Sequence, residues 1–202
     1  MSPPRSTSPG ASSGWKADAV GFTVVGIGGS TRTGSQSERA LQMALAAARA
    51  AGAETVAVSG ADLVLPFYDP AITERTEAAR RLVDAVRDAD GVILSSPGYH
   101  GTVSGLVKNA LDYIEDLRAA ERPYLDGRAV GCIATAYGWQ ASVTTLTALR
   151  SIVHALRGWP TPLGVAVNSA VAHFDDSGAV SEETVVTNLN ILGRQVVEFA
   201  RR

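Results

Sequence analysis

From residue 22 onward, short runs rich in Val and Ile alternate with longer segments whose apolar residues recur every three or four positions, five times over. The strand-like runs fall at 22–27, 54–59, 91–96, 129–136 and 163–168, each bounded by Gly, Pro or Asp. The intervening stripes are Leu41, Leu45 and Ala48; Ala79, Leu82, Val83 and Val86; Leu106, Ala110, Ile114 and Leu117; Val143, Leu146 and Val153 around Arg150; and finally Val185, Leu189, Leu192, Val196 and Phe199. A stripe of that spacing covers one face of a helix, whereas a strand that is apolar throughout needs cover on both faces. Parallel strands joined by right-handed helical crossovers satisfy both demands. The alternation therefore predicts an α/β chain: a doubly wound five-stranded parallel sheet, order 2-1-3-4-5, with helices on both faces.

That order is the flavodoxin-like one, and its strand order reverses between the first and third strands. Ligands bind in the crevice at the carboxyl ends of such strands, so the loops after Ile27 and Ser96 are the ones to read for chemistry. With 202 residues, a single domain over 18–202 is expected. The preceding stretch, 1–17, is mostly Ser, Pro, Gly and Thr and is expected to be a disordered tail. It lacks the basic start and apolar run of a signal peptide, and no apolar run of about 18 residues predicts a membrane-spanning helix. Eighteen Lys and Arg against twenty Asp and Glu leave a net charge of -2, too little positive field to favour nucleic acid or anionic membrane surfaces. One cysteine, Cys132, and three histidines offer neither a disulfide nor a zinc-ligand spacing, so a reducing, cytoplasmic location is expected.

The loop after the first strand runs Gly28-Gly29-Ser30-Thr31-Arg32-Thr33-Gly34-Ser35-Gln36-Ser37 into a helix expected to begin near Glu38. Free backbone N–H groups at a helix N-terminus favour an anion, and several hydroxyls and a guanidinium accompany them here. A Walker A loop needs lysine after its second glycine, where Ser35 stands. A dinucleotide fingerprint needs a third glycine, where Thr31 stands, and an acidic end to the second strand, which closes on Ser59. What fits is a monophosphate held by backbone, by the hydroxyls of Ser30, Ser35 and Ser37, by Gln36 and by Arg32. The plainer alternative is a hydrophilic turn with Ser35 or Ser37 as helix cap.

After the third strand comes Ser96-Pro97-Gly98-Tyr99-His100-Gly101-Thr102-Val103-Ser104-Gly105, then Leu106-Val107-Lys108-Asn109-Ala110-Leu111-Asp112. Its glycines let backbone approach a flat ligand, and Tyr99 and His100 add ring surface with polar edges. Together the two loops resemble those of the NADPH-dependent FMN reductase family, which includes quinone, azo and chromate reductases. Gly29, Ser30, Arg32 and Ser35 meet its motif G-S-x-R-x-x-S-x-N, with Ser37 in place of the asparagine. Ser96, Pro97, Tyr99, Gly101, Gly105 and Lys108 through Asp112 meet S-P-E-Y-N-G-S-x-P-G-x-L-K-N-A-L-D. Gly98, His100, Thr102, Ser104 and Val107 depart from it, and the family's glycine-rich third loop reads Ala136-Tyr137-Gly138-Trp139-Gln140.

The resemblance implies FMN and NADPH as cofactors, with the phosphate on Ser30, Arg32, Ser35, Gln36 and Ser37. The flavin ring would lie against Pro97, Gly98, Tyr99, His100 and Gly101, with Tyr137 and Gly138 beside it. No protein nucleophile or metal is required, because the cofactor carries the hydride chemistry. Reduced FMN would pass to a partner monooxygenase, or electrons would go to a quinone, azo or nitro acceptor; a flavodoxin-type electron carrier is the non-enzymatic alternative. The resemblance also implies a homodimer or a dimer of dimers. Cys132 reads as buried core, His154 and His173 as structural or surface residues, and Lys108 as a partner for Asp112. His100 is open between ligand contact and solvent, and Tyr137 and Trp139 between pocket, subunit contact and packing on the sheet end.

Overall fold

The computed structural model describes residues 21–201; the Ser/Pro/Gly-rich stretch 1–17 lies outside them. Strands β1 (Thr23–Gly28), β2 (Glu54–Ser59), β3 (Gly91–Tyr99) and β5 (Ala129–Ala136) pair in parallel in the order β2-β1-β3-β5. Helices α1 (Gln36–Ala50), α2 (Glu77–Asp88), α3 (Gly105–Asp112), α4 (Trp139–Ala155) and α5 (Glu183–Ala200) all form. The α4 stripe is corrected, since that helix buries Ser142, Thr145, Leu149 and Val153 and leaves Val143 exposed, and Phe199 at the end of the α5 stripe is exposed too. The α/β class and its 2-1-3-4-5 path stand, but the strand count is corrected from five to seven.

Both extra strands have local causes. The expected fifth strand at 163–168 forms as β7 (Val165–Asn168), and a short β6 (Trp159–Pro160) precedes it; the two pair separately with the end and start of β5. Pro160 and Pro162 lack the N–H that a continuous ladder requires, and the register slips between Pro160, opposite Val130, and Val165, opposite Ile133. The other addition, β4 (Thr102–Val103), folds back antiparallel on the end of β3. The third helical stripe is likewise divided, continuing after α3 as a 3-10 turn over Tyr113–Leu117.

Alternate residues of each strand feed two cores. Val25, Leu94, Cys132 and Ala134 pack beneath the face covered by α2, α3 and α4. Val24, Ile93 and Ile133 pack with Leu41, Leu45, Leu189 and Leu192 of α1 and α5. Each such leucine contributes roughly 1.5–3 kcal/mol by leaving water. On the α1/α5 side, Gly193 lets the helices touch: a Cβ there would sit 2.3 Å from the Ala44 carbonyl oxygen.

At the amino end of the sheet, the fully buried Arg128 donates to the carbonyls of Arg87 and Ala89 at the end of α2, and to those of Tyr124 and Asp126. Burial, with Arg122 alongside, lowers its pKa to about 10. Between β2 and α2 lies a long segment, residues 64–76. Asn109 fixes it by accepting from the Tyr68 N–H at 2.9 Å and donating to the Pro66 carbonyl at 2.9 Å. Arg75, stacked on Tyr68 and Tyr113, pairs both ways with Asp116 at 2.7 and 2.8 Å.

Candidate functional site: two loops at the switch point

The loop after β1 is pressed against β3. Gly28 adopts φ +149°, and a side chain there would sit 1.9 Å from the Ser95 carbonyl oxygen, so only glycine fits. Gly29 N–H then donates to that same carbonyl at 3.1 Å. Ser95 reaches the other way as well, its hydroxyl donating to the Ser37 carbonyl at 2.8 Å and tying β3 to the first turn of α1. Helix α1 starts at Gln36, two residues before the expected Glu38, because Ser35 is the cap: its hydroxyl accepts from the Glu38 N–H at 3.3 Å. The Glu38 carboxylate returns to accept from Gly34 N–H at 2.8 Å, a close variant of the capping box.

This arrangement redistributes the residues assigned to the phosphate. The Arg32 guanidinium is exposed and has no partner among the described residues, while Ser30 is half-buried, its hydroxyl accepting from the Arg32 N–H at 3.2 Å. Ser35 and Ser37 are buried, with their hydroxyls 3.3 Å apart. The Gln36 side-chain amide accepts from the Phe174 N–H at 2.7 Å and donates to the Phe174 carbonyl at 2.8 Å, so it braces the segment after β7, and what Gln36 offers the loop is its main-chain N–H. The main-chain amides of Gln36 and Ser37 have no acceptor among the described residues, as the opening of a helix leaves them.

The second loop is a tight hairpin. Tyr99 pairs with Thr102, and between them His100 (φ 53°) and Gly101 (φ 86°) both occupy the left-handed region of a type I′ turn. Thr145 of α4 holds the hairpin, its hydroxyl donating to the Thr102 carbonyl at 3.2 Å. Gly98 faces the same helix, and a Cβ there would sit 2.6 Å from the Thr145 hydroxyl. The third loop is fixed by Asn168, whose side-chain oxygen accepts from the Gly138 N–H at 2.9 Å and from the Ala170 N–H at 3.0 Å.

His100 and Gly101 on one side, and Tyr137, Gly138 and Trp139 on the other, wall a cleft of about 500 Å³ floored by the first turn of α4. Pro97 and Gly98 do not line it; they are half-buried backbone positions that aim the hairpin. Tyr99 is exposed beside it, and Tyr137 stands 86% exposed at its mouth. Asn168, Thr145 and Ser95 were missed by sequence reading. The only local signal was a polar residue ending or interrupting an apolar run.

A bound phosphate ester fits this edge of the sheet on two counts besides charge. Two helix-opening amides lack acceptors, and the Thr135 hydroxyl, in a residue only 5% exposed, has no partner. Thr135 lies opposite Pro97, one pleat beyond Ile133, on the α1 face of the sheet near its carboxyl end. A buried hydroxyl without a partner costs about 1–3 kcal/mol, which a polar ligand edge would offset. Cys132, by contrast, is closed off: burial raises its thiol to about 12. Among the described residues no cluster of three His, Cys, Asp or Glu side chains could hold a metal, and no helix is long and apolar enough to cross a membrane.

A parallel sheet with a polar loop at its switch point, and an aromatic cleft between the loops that follow β3 and β5, has the flavodoxin-like architecture. The chain belongs to the NADPH-dependent FMN reductase family, whose description matches residues 22–172. It is 33% identical over 88 residues to an NADPH azoreductase from Bacillus sp. strain OY1-2, covering 43% of this chain and 46% of that protein. It is 34% identical over 114 residues to an FMN-dependent NADPH-azoreductase from Staphylococcus aureus, covering 56% of this chain and 54% of that one. The chain thus matches about half the length of these curated relatives. In fold it is similar to the flavoenzyme NAD(P)H:acceptor oxidoreductase FerB from Paracoccus denitrificans, with a TM-score of 0.72 at 18% identity, over 89% of this chain and 97% of that one. It is likewise similar to an NADH:FMN oxidoreductase, with a TM-score of 0.65 at 24% identity, over 89% of each chain.

Proposed function

We propose that the chain is an NAD(P)H-dependent flavin reductase that binds FMN at the carboxyl edge of the sheet. The observation that carries this is that Ser95 of β3 holds the first loop and the start of α1, where two main-chain amides and Arg32 have no partner among the described residues, and that the same strand runs on into the hairpin lining a cleft of about 500 Å³. Arg32, Ser30 and the main-chain amides of Gln36 and Ser37 would hold the phosphate. The backbone from Tyr99 to Gly101 would meet the ring, while Tyr137 and Gly138 keep water from one side of it. When bound, FMN supplies the two-electron chemistry, accepting hydride from NADPH and returning it to an acceptor. Visible absorption of the purified protein, followed by NADPH turnover with and without added FMN, tests the reading; no flavin binding and no turnover would refute it.

For the electron destination, a planar acceptor reduced in place is favoured over release of reduced FMN to a partner monooxygenase. The third loop carries Tyr137 and Trp139 where the family pattern is glycine-rich, giving the cleft an aromatic wall, and the curated relatives are azoreductases. The protein acts as a homodimer in this reading, and light scattering should find a particle of twice the 21.0 kDa chain mass. The cytoplasm, where NADPH is available, is its proposed location.

A further inference from the structure

We propose that His100 donates the proton that a planar aromatic acceptor such as a quinone requires on reduction in the cleft; this rests on the reductase reading above. The backbone supplies the first argument. His100 takes the leading left-handed position of a type I′ turn, where Asn, Asp or Gly is preferred, so the imidazole is held at some conformational cost. The surroundings supply the second. His100 is exposed, makes no side-chain hydrogen bond among the described residues, and lines a cleft of about 500 Å³ together with Tyr137 and Trp139.

Both walls are braced, one by Thr145 on the Thr102 carbonyl and the other by Asn168 on the Gly138 N–H, so His100 sits on a fixed hairpin. The chemistry supplies the third argument. Tyr137, Trp139, Gln140 and Thr144 line the cleft with His100, and among the described residues no Asp, Glu, Lys or Arg does. Of these side chains imidazole is the one most often used as a general acid.

The balance needs such a group. NADPH oxidation delivers two electrons and one proton as hydride, which leaves a quinone as the hydroquinone monoanion. The imidazolium N–H bond breaks, the second hydroquinone O–H bond forms, and the imidazole recovers a proton from solvent. The net reaction consumes NADPH, quinone and one solvent proton.

His100→Asn tests this with a residue the turn accepts. Steady-state kinetics of the FMN-loaded protein should be measured with 1,4-naphthoquinone and with ferricyanide, which takes single electrons and no proton. The expected result is a kcat loss for naphthoquinone at least tenfold greater than for ferricyanide. A second readout is independent of turnover: 2-naphthol, a redox-inert hydroquinone mimic, should shift the imidazole NMR signals that the variant lacks. Equal losses with both acceptors, or imidazole signals unmoved by 2-naphthol, would overturn the assignment of His100 while leaving the reductase reading in place. A wild-type protein that neither binds FMN nor reduces ferricyanide would bring both down.

Discussion

Arg32 in the first loop and Gln36 at the start of α1 stand four residues apart, and their surroundings separate their roles. The Gln36 amide is occupied on Phe174, whereas the Arg32 guanidinium faces solvent with no partner among the described residues. Arg32→Ala should therefore weaken FMN binding by about 1.5–3 kcal/mol, roughly 10- to 150-fold, read by flavin fluorescence titration. Unaltered affinity would remove Arg32 from the site. The reading of Cys132 as buried core could be made from its place in an apolar run, and the structure agrees, with the thiol raised to about 12 by burial. Its proton stays on in the fold while the unfolded chain releases it from about pH 8.5. Its contribution to stability is therefore full below that value and lost as pH climbs toward about 12. Urea melts between pH 8 and 10 should show a shallower alkaline decline for Cys132→Ala than for the wild type, and native Cys132 should resist iodoacetamide at pH 8.

Asn109 shows how a motif residue can serve an element and not the ligand. It lies in the Lys108–Asp112 run that matches the family, yet its amide grips the backbone on both sides of Phe67, far from any role in the cleft. Phe67 itself remains 90% exposed on the braced segment. Asn109→Ala leaves the Tyr68 N–H without its acceptor and should cost about 1–3 kcal/mol. Limited proteolysis should then cut within residues 64–76 before the sheet unfolds; cleavage no faster than in the wild type would contradict the brace. Neighbouring Lys108 does pair with Asp112, as helical spacing indicated. The hairpin at His100 was less legible. A two-residue turn needs its flanking strands to be recognised, and β4 is only two residues long, too short to leave a period of its own.

Across the whole molecule, the amino end of the sheet carries stability and the carboxyl end carries the site. Arg128 joins the end of α2 to the approach of β5 through four main-chain carbonyls, so Arg128→Met should lower unfolding stability by about 2–4 kcal/mol. The urea midpoint should fall while FMN affinity per folded molecule holds; an unshifted midpoint would show that water satisfies those carbonyls equally well. The sequence by itself determined the layers, the five helices and the two loops to inspect, because hydrophobic period and turn residues are local properties of the chain. Only the tertiary structure decided that Ser95 ties the first loop to β3, that Asn168 and Thr145 brace the third loop and the hairpin, that the Gln36 side chain meets Phe174, and that Thr135 is left without a partner among the described residues. Each of these is a hydrogen bond, or a missing one, between residues distant along the chain. Which donor meets which acceptor is set by how the strands come into register and the helices close over them, and no local pattern records that.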